Sequence, residues 1–300
     1  MNKKPSYLKN GDTIAIVAVA GRCNKKHLQT AIEIFQSWGL KIKQGKHLFD
    51  NENQFAASDK NRLHDLNSMI EDNNIKAIIS LRGGYGSVRL LEDINYPHLA
   101  KNPKWIIGFS DITAIHSAVA IKSSIASLHA TMPVNFADCH ANTLDTLHNA
   151  LFGKDLNYKI KSHKLNRNGN AKAEIVGGNL SVLYSLRGTE YDINTNNKIL
   201  FIEDLNEYLY HLDRMMMNLK LGGKLSNLKG LILGAFSDMK DNDTKFGKTA
   251  YEIIAEAVKD YDYPVIFDFK AGHIKENNAL IFGVETEINV NKDFSEIKFL

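Results

Sequence analysis

Three apolar runs of strand length, TIAIVAVA (13–20), IKAIISL (75–81) and KWIIGFS (104–110), constrain this chain more than any other feature. Near-continuous apolar strands are buried on both faces, the mark of a parallel sheet, and parallel neighbours need crossover connections, usually helices. The segments between the runs supply them. KKHLQTAIEIFQSWG spaces Leu28, Ala31, Ile32, Phe35 and Trp38 on one helical face and stops at Gly39. KNRLHDLNSMIEDNN does the same with Leu63, Leu66, Met69 and Ile70. LKIKQGKHL alternates like a short strand, RLLEDIN reads as a short helix, and ITAIHSAVAIKS is a helix opening straight out of the third run. The first half is therefore expected to be an α/β domain with a parallel sheet covered on both faces.

Further on the pattern changes. Residues 157–170 are polar, with KSHKLNRNGNAK lacking apolar periodicity, and read as a linker. The expected organisation is an α/β domain over 1–156, this linker, and a smaller β-rich domain over 171–300. In the latter, KILFIEDLNEYLYHLDRMMMNLKLGG gives a strand and then a helix with Leu209, Leu212, Met216 and Leu219 inward. LKGLILGAF and YPVIFDF are further strands, and ALIFGVETEINVNKDFSEIKFL reads as closing strands.

Composition narrows the partners. At 300 residues and 44% hydrophobic the chain can bury a sizeable core. The net charge is only +3 with scattered lysines, which gives no footprint for nucleic acid or an anionic membrane. Cys23 and Cys139 make no disulfide framework and suit a reducing compartment. No apolar stretch approaches the ~18 residues of a membrane span. The start, with Lys3 and Lys4 ahead of IAIVAVAGRC, superficially resembles a secretion signal. Asp12 at its head, Arg22 before the cysteine and the amphipathic helix that follows favour a first buried strand.

Several positions could carry chemistry. LRGGYGS (81–87) follows a strand, where glycines turn backbone N–H groups outward toward a phosphate or a developing oxyanion. Its spacing is neither a dinucleotide fingerprint nor a phosphate-binding P-loop. GFSDITAIH (108–116) resembles the nucleophile elbow G-x-S-x-G, but Ile112 stands where the second glycine should be. Ser110 lies at the carboxyl end of a strand, where open α/β sheets place ligands, and equally fits a helix N-cap followed by Asp111 and Thr113. Local spacing leaves both readings open. A nucleophile needs a base and an acid to orient it. His116 should point elsewhere along its helix, His129 could line the same sheet edge, and His273 sits in a Gly-flanked polar loop after a strand. Glu203 and Asp204 end a strongly apolar strand and must be held by partners there. Asp213 and Arg214 could pair with each other or with that strand end, and Glu207 reads as solvated. No metal-ligand spacing such as H-E-x-x-H or C-x-x-C occurs.

RGGYGS, GFSDITAIH, GGNLSVLYSLRGT, ILFIEDLNEYLYHLDRMMMNLKLGG and AGHIKENN, in that order, resemble the LD-carboxypeptidases, serine peptidases of cell-wall recycling related to the microcin-immunity peptidases. The resemblance implies Ser110 as nucleophile, Glu203 as acid and His273 as base. It implies an oxyanion hole from the RGGYG loop, with Gly84 as donor, and from the N–H of Asp111. It further implies an N-terminal α/β and a smaller β-rich C-terminal domain with the site between them, a cytoplasmic homodimer, and neither metal nor organic cofactor. The substrate implied is a muropeptide tetrapeptide losing its terminal D-alanine. LHATMPVNF departs from the Gly-Pro often found after the family histidine matching His129, and YDINTNNKILF is short where the immunity branch has an aromatic-bearing loop. Two rivals stand beside this reading: a peptidase detoxifying microcin-like conjugates, and a non-catalytic protein holding a small anion.

Overall fold

In the computed structural model, which describes residues 2–300, the chain divides into two compact units. The first runs up to Asp155 and takes in Lys275–Gly283; the second comprises Leu156–Ile274 and Val284–Leu300.

In the first unit the strands are β1 (Thr13–Val17), β2 (Lys41–Gln44), β3 (Ile75–Ser80), β4 (Trp105–Gly108) and β5 (Ser127–His129), joined by a late strand, β11 (Leu280–Phe282). They lie in the order β11-β5-β4-β3-β1-β2, all parallel except β11, which pairs antiparallel with β5. The helices are α1 (Lys25–Ser37), α2 (Asp59–Glu71), α3 (Tyr96–Lys101), α4 (Thr113–Lys122) and α5 (Ala141–Phe152). Asn24 and Ser58 cap α1 and α2, their side-chain oxygens accepting backbone N–H bonds from Lys26 and Asn61. The apolar runs are buried as their sequence demanded: Ile14, Ile16, Ile79 and Ile107 have no exposed surface. The signal-like start is thus strand β1. RLLEDIN, expected as a helix, is a 3-10 turn, Ser87–Asp93.

The second unit has β6 (Asn157–Lys161), β7 (Gly169–Asn179), β8 (Ile199–Leu205), β9 (Gly230–Ser237), β10 (Val265–Ile266), β12 (Glu285–Val290) and β13 (Phe294–Phe299). Their order is β10-β9-β8-β7-β12-β13-β6, with β10 to β7 parallel and the remainder antiparallel. Helices α6 (Leu180–Ser185), α7 (Leu209–Leu221) and α8 (Ala250–Ala257) pack on it through a core that includes Leu180, Leu212, Met216, Leu233 and Ile254.

Two boundaries differ from expectation. Residues 157–170 are no linker: β6 pairs with β13, and β7 begins at Gly169. The stretch reads as polar because β6 is an edge strand, with Asn157, Lys159 and Lys161 exposed and only Tyr158 and Ile160 turned inward. Nor does 171–300 form one piece. Leu280, Ile281 and Phe282 return to the first sheet and close its β5 edge, opposite His129, Leu128 and Ser127.

Candidate active site

The nucleophile candidate is held by backbone. β4 is buried throughout and delivers the chain through Phe109 to Ser110, whose φ is +61°. That left-handed conformation costs a non-glycine residue roughly 1–2 kcal/mol, and such strain persists only where the surroundings impose it. A helix cap instead has extended backbone. The cap residues of the 3-10 turn Ser110–Ile112 and of α4 are Phe109 and Ile112, and neither makes a side-chain cap bond. The cap reading of Ser110 therefore gives way to an elbow. The missing second glycine also has a physical account. A Cβ on Gly108 would stand 2.7 Å from Ile112 Cγ1, so the first glycine makes the room that Ile112 fills.

The glycine loop closes against this turn. A Cβ on Gly83 would lie 3.2 Å from Ser110 Cβ and 3.3 Å from its Oγ, so the loop backbone passes directly over the serine side chain. Gly84 (φ +113°) and Gly86 (φ +130°) take conformations open to glycine. Asp111 locks loop to turn: its Oδ2 accepts the Ser87 N–H at 2.9 Å, and its carbonyl accepts the Ser87 hydroxyl at 2.6 Å. Burial pushes the Asp111 carboxyl upward, opposed by these bonds and by the nearby Arg62 charge.

Another group, in the second unit, is built from side chains. Glu203 lies on β8 with no exposed surface, at a register break between β8 and β9, an irregularity that re-aims a side chain. Its Oε2 is 2.7 Å from His273 Nδ1, and Asn179 Nδ2 donates to its Oε1 at 3.3 Å. A Cβ on Gly272 (φ +108°) would fall 2.5 Å from Glu203 Oε2, so only glycine lets the His273 loop come this close. The Ser237 hydroxyl fixes that loop by donating to the His273 carbonyl at 3.1 Å. Burial alone would depress the His273 pKa. The charge and hydrogen bond of Glu203, with Asp204 adding, outweigh it and hold the imidazole above its usual value.

Asp204 lies beside this pair. It accepts N–H bonds from Ser181 and from its own neighbour Leu205, both at 2.9 Å, and Asn179 donates to it at 3.0 Å. Burial, reinforced by the Glu203 charge, pushes its carboxyl up to about 7.

Matches to known families now decide the affiliation. Residues 14–130 match the LD-carboxypeptidase N-terminal domain, and residues 172–288 match the LD-carboxypeptidase C-terminal domain. The chain belongs to the LD-carboxypeptidase family. It is 32% identical to the probable murein peptide carboxypeptidase of Bacillus subtilis, over 96% of this chain and 92% of that protein. The microcin C7 self-immunity protein MccF of Escherichia coli is more distant, at 25% identity over 95% of this chain and 93% of its own length. The crystal structure of muramoyltetrapeptide carboxypeptidase from Oxalobacter formigenes superposes with a TM-score of 0.88 at 28% identity, covering 96% of this chain and 98% of that one.

Within this LD-carboxypeptidase, the structure brings Glu203 and His273 together, and Ser110, Asp111 and the glycine loop together. The first group belongs to the second unit and the second group to the first. His129 lies opposite Gly108 in the β4–β5 register, beside the turn that carries Ser110. His129 is fully buried on β5, its ring against Phe109 and Phe282, and burial drives His116 down to about 3. Glu207, expected as solvated, pairs with His211 at 2.6 Å, and Arg214 stacks on Tyr210.

Sequence reasoning missed Arg62 and Asn179. Arg62 is buried on α2, donating to the carbonyls of Val19, Ala57 and Gly86 and to Asp59, with its guanidinium over the Phe55 ring. It ties the segment after β1, helix α2 and the glycine loop together. Its only sequence signal is a place beside the apolar face of α2. Asn179, at the end of β7, bonds both Glu203 and Asp204, and its nearness to a strand end was the available clue.

Among the described residues no helix is long and apolar enough to cross a membrane.

Proposed function

We propose that this chain is a serine-type LD-carboxypeptidase (a muramoyltetrapeptide carboxypeptidase) that releases the terminal D-alanine of muropeptide tetrapeptides, with Ser110, His273 and Glu203 acting together as nucleophile, base and acid. The observation that carries the reading is the 2.7 Å bond between fully buried Glu203 and His273 Nδ1. A carboxylate sequestered on one imidazole nitrogen sets the tautomer and steadies the cation that forms when the other nitrogen takes a proton.

The chemistry follows from these parts. Ser110 Oγ attacks the carbonyl carbon of the L,D bond while His273 Nε2 takes the hydroxyl proton. The oxyanion is met by the N–H groups of Gly84 and Asp111, each worth about 3–4 kcal/mol in comparable sites. The intermediate collapses, the C–N bond breaks, and the imidazolium returns its proton to the departing D-alanine amine. Water then attacks the acyl-serine, His273 takes its proton, and the tripeptide carboxylate leaves as Ser110 regains its hydrogen. Every step draws on groups of this chain, with no metal or organic cofactor.

The Bacillus subtilis and Oxalobacter formigenes relatives support the muropeptide substrate, and the lower identity to MccF makes a microcin-like conjugate the competing substrate. On this reading the enzyme works in the cytoplasm as a homodimer in cell-wall recycling. The test is mass spectrometry of purified protein with tetrapeptide and, in parallel, with a microcin-like peptidyl nucleotide. Loss of one alanine from the tetrapeptide is the expected result. Turnover of the conjugate alone assigns the immunity role, and turnover of neither returns the site to small-anion binding.

A further inference from the structure

In the first unit the loop after β2 meets helix α2 at His47, His64 and Asp65. One ring nitrogen from each histidine and one Asp65 oxygen all lie within 4.8 Å of one another. Asp65 anchors the group. Its side chain is 4% exposed, and its Oδ2 accepts the His47 backbone N–H at 2.8 Å. Gly45 is required there, because a Cβ would collide with that same oxygen.

Asp65 Oδ1 faces His64 Nδ1 at 3.6 Å. That is too long for a hydrogen bond. It is close to the separation of two ligands on one tetrahedral cation, about 3.4 Å when each bond is about 2.0–2.1 Å. The His47 and His64 rings stand edge to face at 5.9 Å between centroids. His47 Nδ1 lies 2.7 Å from Asp50 Oδ2, which also accepts from Asn61 Nδ2 at 3.1 Å. This brings a second carboxylate to the cluster, and carboxylates bonded to ligating imidazoles fix their orientation and raise their basicity.

We propose that His47, His64 and Asp65 form a site for a divalent transition cation of the zinc class, its remaining positions filled by water. Two imidazoles and a carboxylate suit that class better than hard cations such as Mg²⁺, which prefer all-oxygen shells. The buried carboxylate gains a compensating charge. The cation pins loop 45–50 to α2, the helix whose Arg62 holds the Gly86 carbonyl. The site is independent of the hydrolytic assignment.

The experiment is calorimetric titration of Zn²⁺ into chelator-stripped full-length protein, with His64→Gln, His47→Gln, Asp50→Asn and, as control, His140→Gln. His64 is a safe position to change, its side chain being 53% exposed. Wild type and His140→Gln should bind one Zn²⁺ at this site, and both ligand variants should weaken it by at least tenfold. Asp50→Asn should weaken it by about tenfold. The melting temperature should rise with Zn²⁺ in the wild type and not in His64→Gln. No saturable binding overturns the proposal. So does equal binding in His64→Gln and His47→Gln, which puts the cation elsewhere, for example at His273 and Glu203.

Discussion

In the first unit the proposed nucleophile is held by main chain: Ser110 sits at φ +61°, Gly108 and Gly83 give it room, and Asp111 pins the neighbouring loop by way of Ser87. In the second unit the proposed acid and base are held by side chains. Glu203, Asp204, Asn179 and His273 form one buried polar network at the end of a parallel strand. The φ of Ser110 and the glycines around it carry no charge and hold the serine whatever the pH, with the Asp111 carboxylate as the one ionisable pin. A network of buried ionisable groups lacks that independence of pH, because its geometry depends on which member carries a proton. The two halves should therefore fail in different ways.

The largest effect belongs to Ser110→Ala, which should abolish tetrapeptide cleavage by on the order of 10⁶-fold. Its thermal midpoint should stay close to the wild-type value, since alanine keeps the Cβ and the same backbone strain and loses only the hydroxyl. Retained cleavage would show that the elbow is not the nucleophile. Next, Glu203→Gln should lower kcat by about 10⁴-fold, through loss of the tautomer that Glu203 sets.

The same variant probes pH. His273 must be neutral to act as base, so kcat/KM should rise as pH passes its elevated pKa, and Glu203→Gln should move that limb to lower pH. For stability the sign is reversed. Because the folded pKa is raised, the contribution of the pair is full below the ordinary histidine value of 6.5 and is lost as pH climbs through the folded value. Denaturant titrations across that window should show the wild type declining more steeply than Glu203→Gln, in which burial of Asp204 alone still makes stability fall with pH.

Two glycine substitutions sharpen the contrast. Gly272→Ala forces a methyl against Glu203 at positive φ, and should cost about 1–3 kcal/mol of stability and about 10²-fold in kcat/KM. Gly83 is not among the positive-φ residues, so Gly83→Ala should cost less than about 1 kcal/mol while still reducing kcat by crowding Ser110. Equal stability losses in the two would break the distinction. The smallest effect on turnover is expected from Asp111→Ala. It orphans the Ser87 N–H at a cost of about 1–3 kcal/mol and loosens the loop, lowering kcat by several-fold at unchanged KM.

Much of the first unit was legible because its signal is periodic: apolar strands and one-faced helices announce themselves over ten or more residues. The β6 edge strand was not, since three of its five residues face solvent and only Tyr158 and Ile160 betray it. The return of Leu280–Phe282 to the first sheet depends on a partner some 150 residues away, which no local pattern records. The site was legible unevenly. Glu203 stood out as a charge at the end of an apolar strand that needs a partner, but His273 as that partner came from the resemblance, not from the strand. Ser110 was ambiguous because cap and elbow share residue types and differ in φ, which sequence does not spell. Resemblance, not spacing, chose between them. Arg62 was hidden because a charged residue on a helix ordinarily reads as solvated.

The most direct measurement is active-site labelling by a fluorophosphonate, followed by peptide mapping in wild type, His273→Ala and Glu203→Gln. A single adduct on Ser110, formed quickly only when His273 and Glu203 are both intact, is the result this account predicts. An adduct on another residue, or labelling of Ser110 at the wild-type rate in both variants, would contradict it.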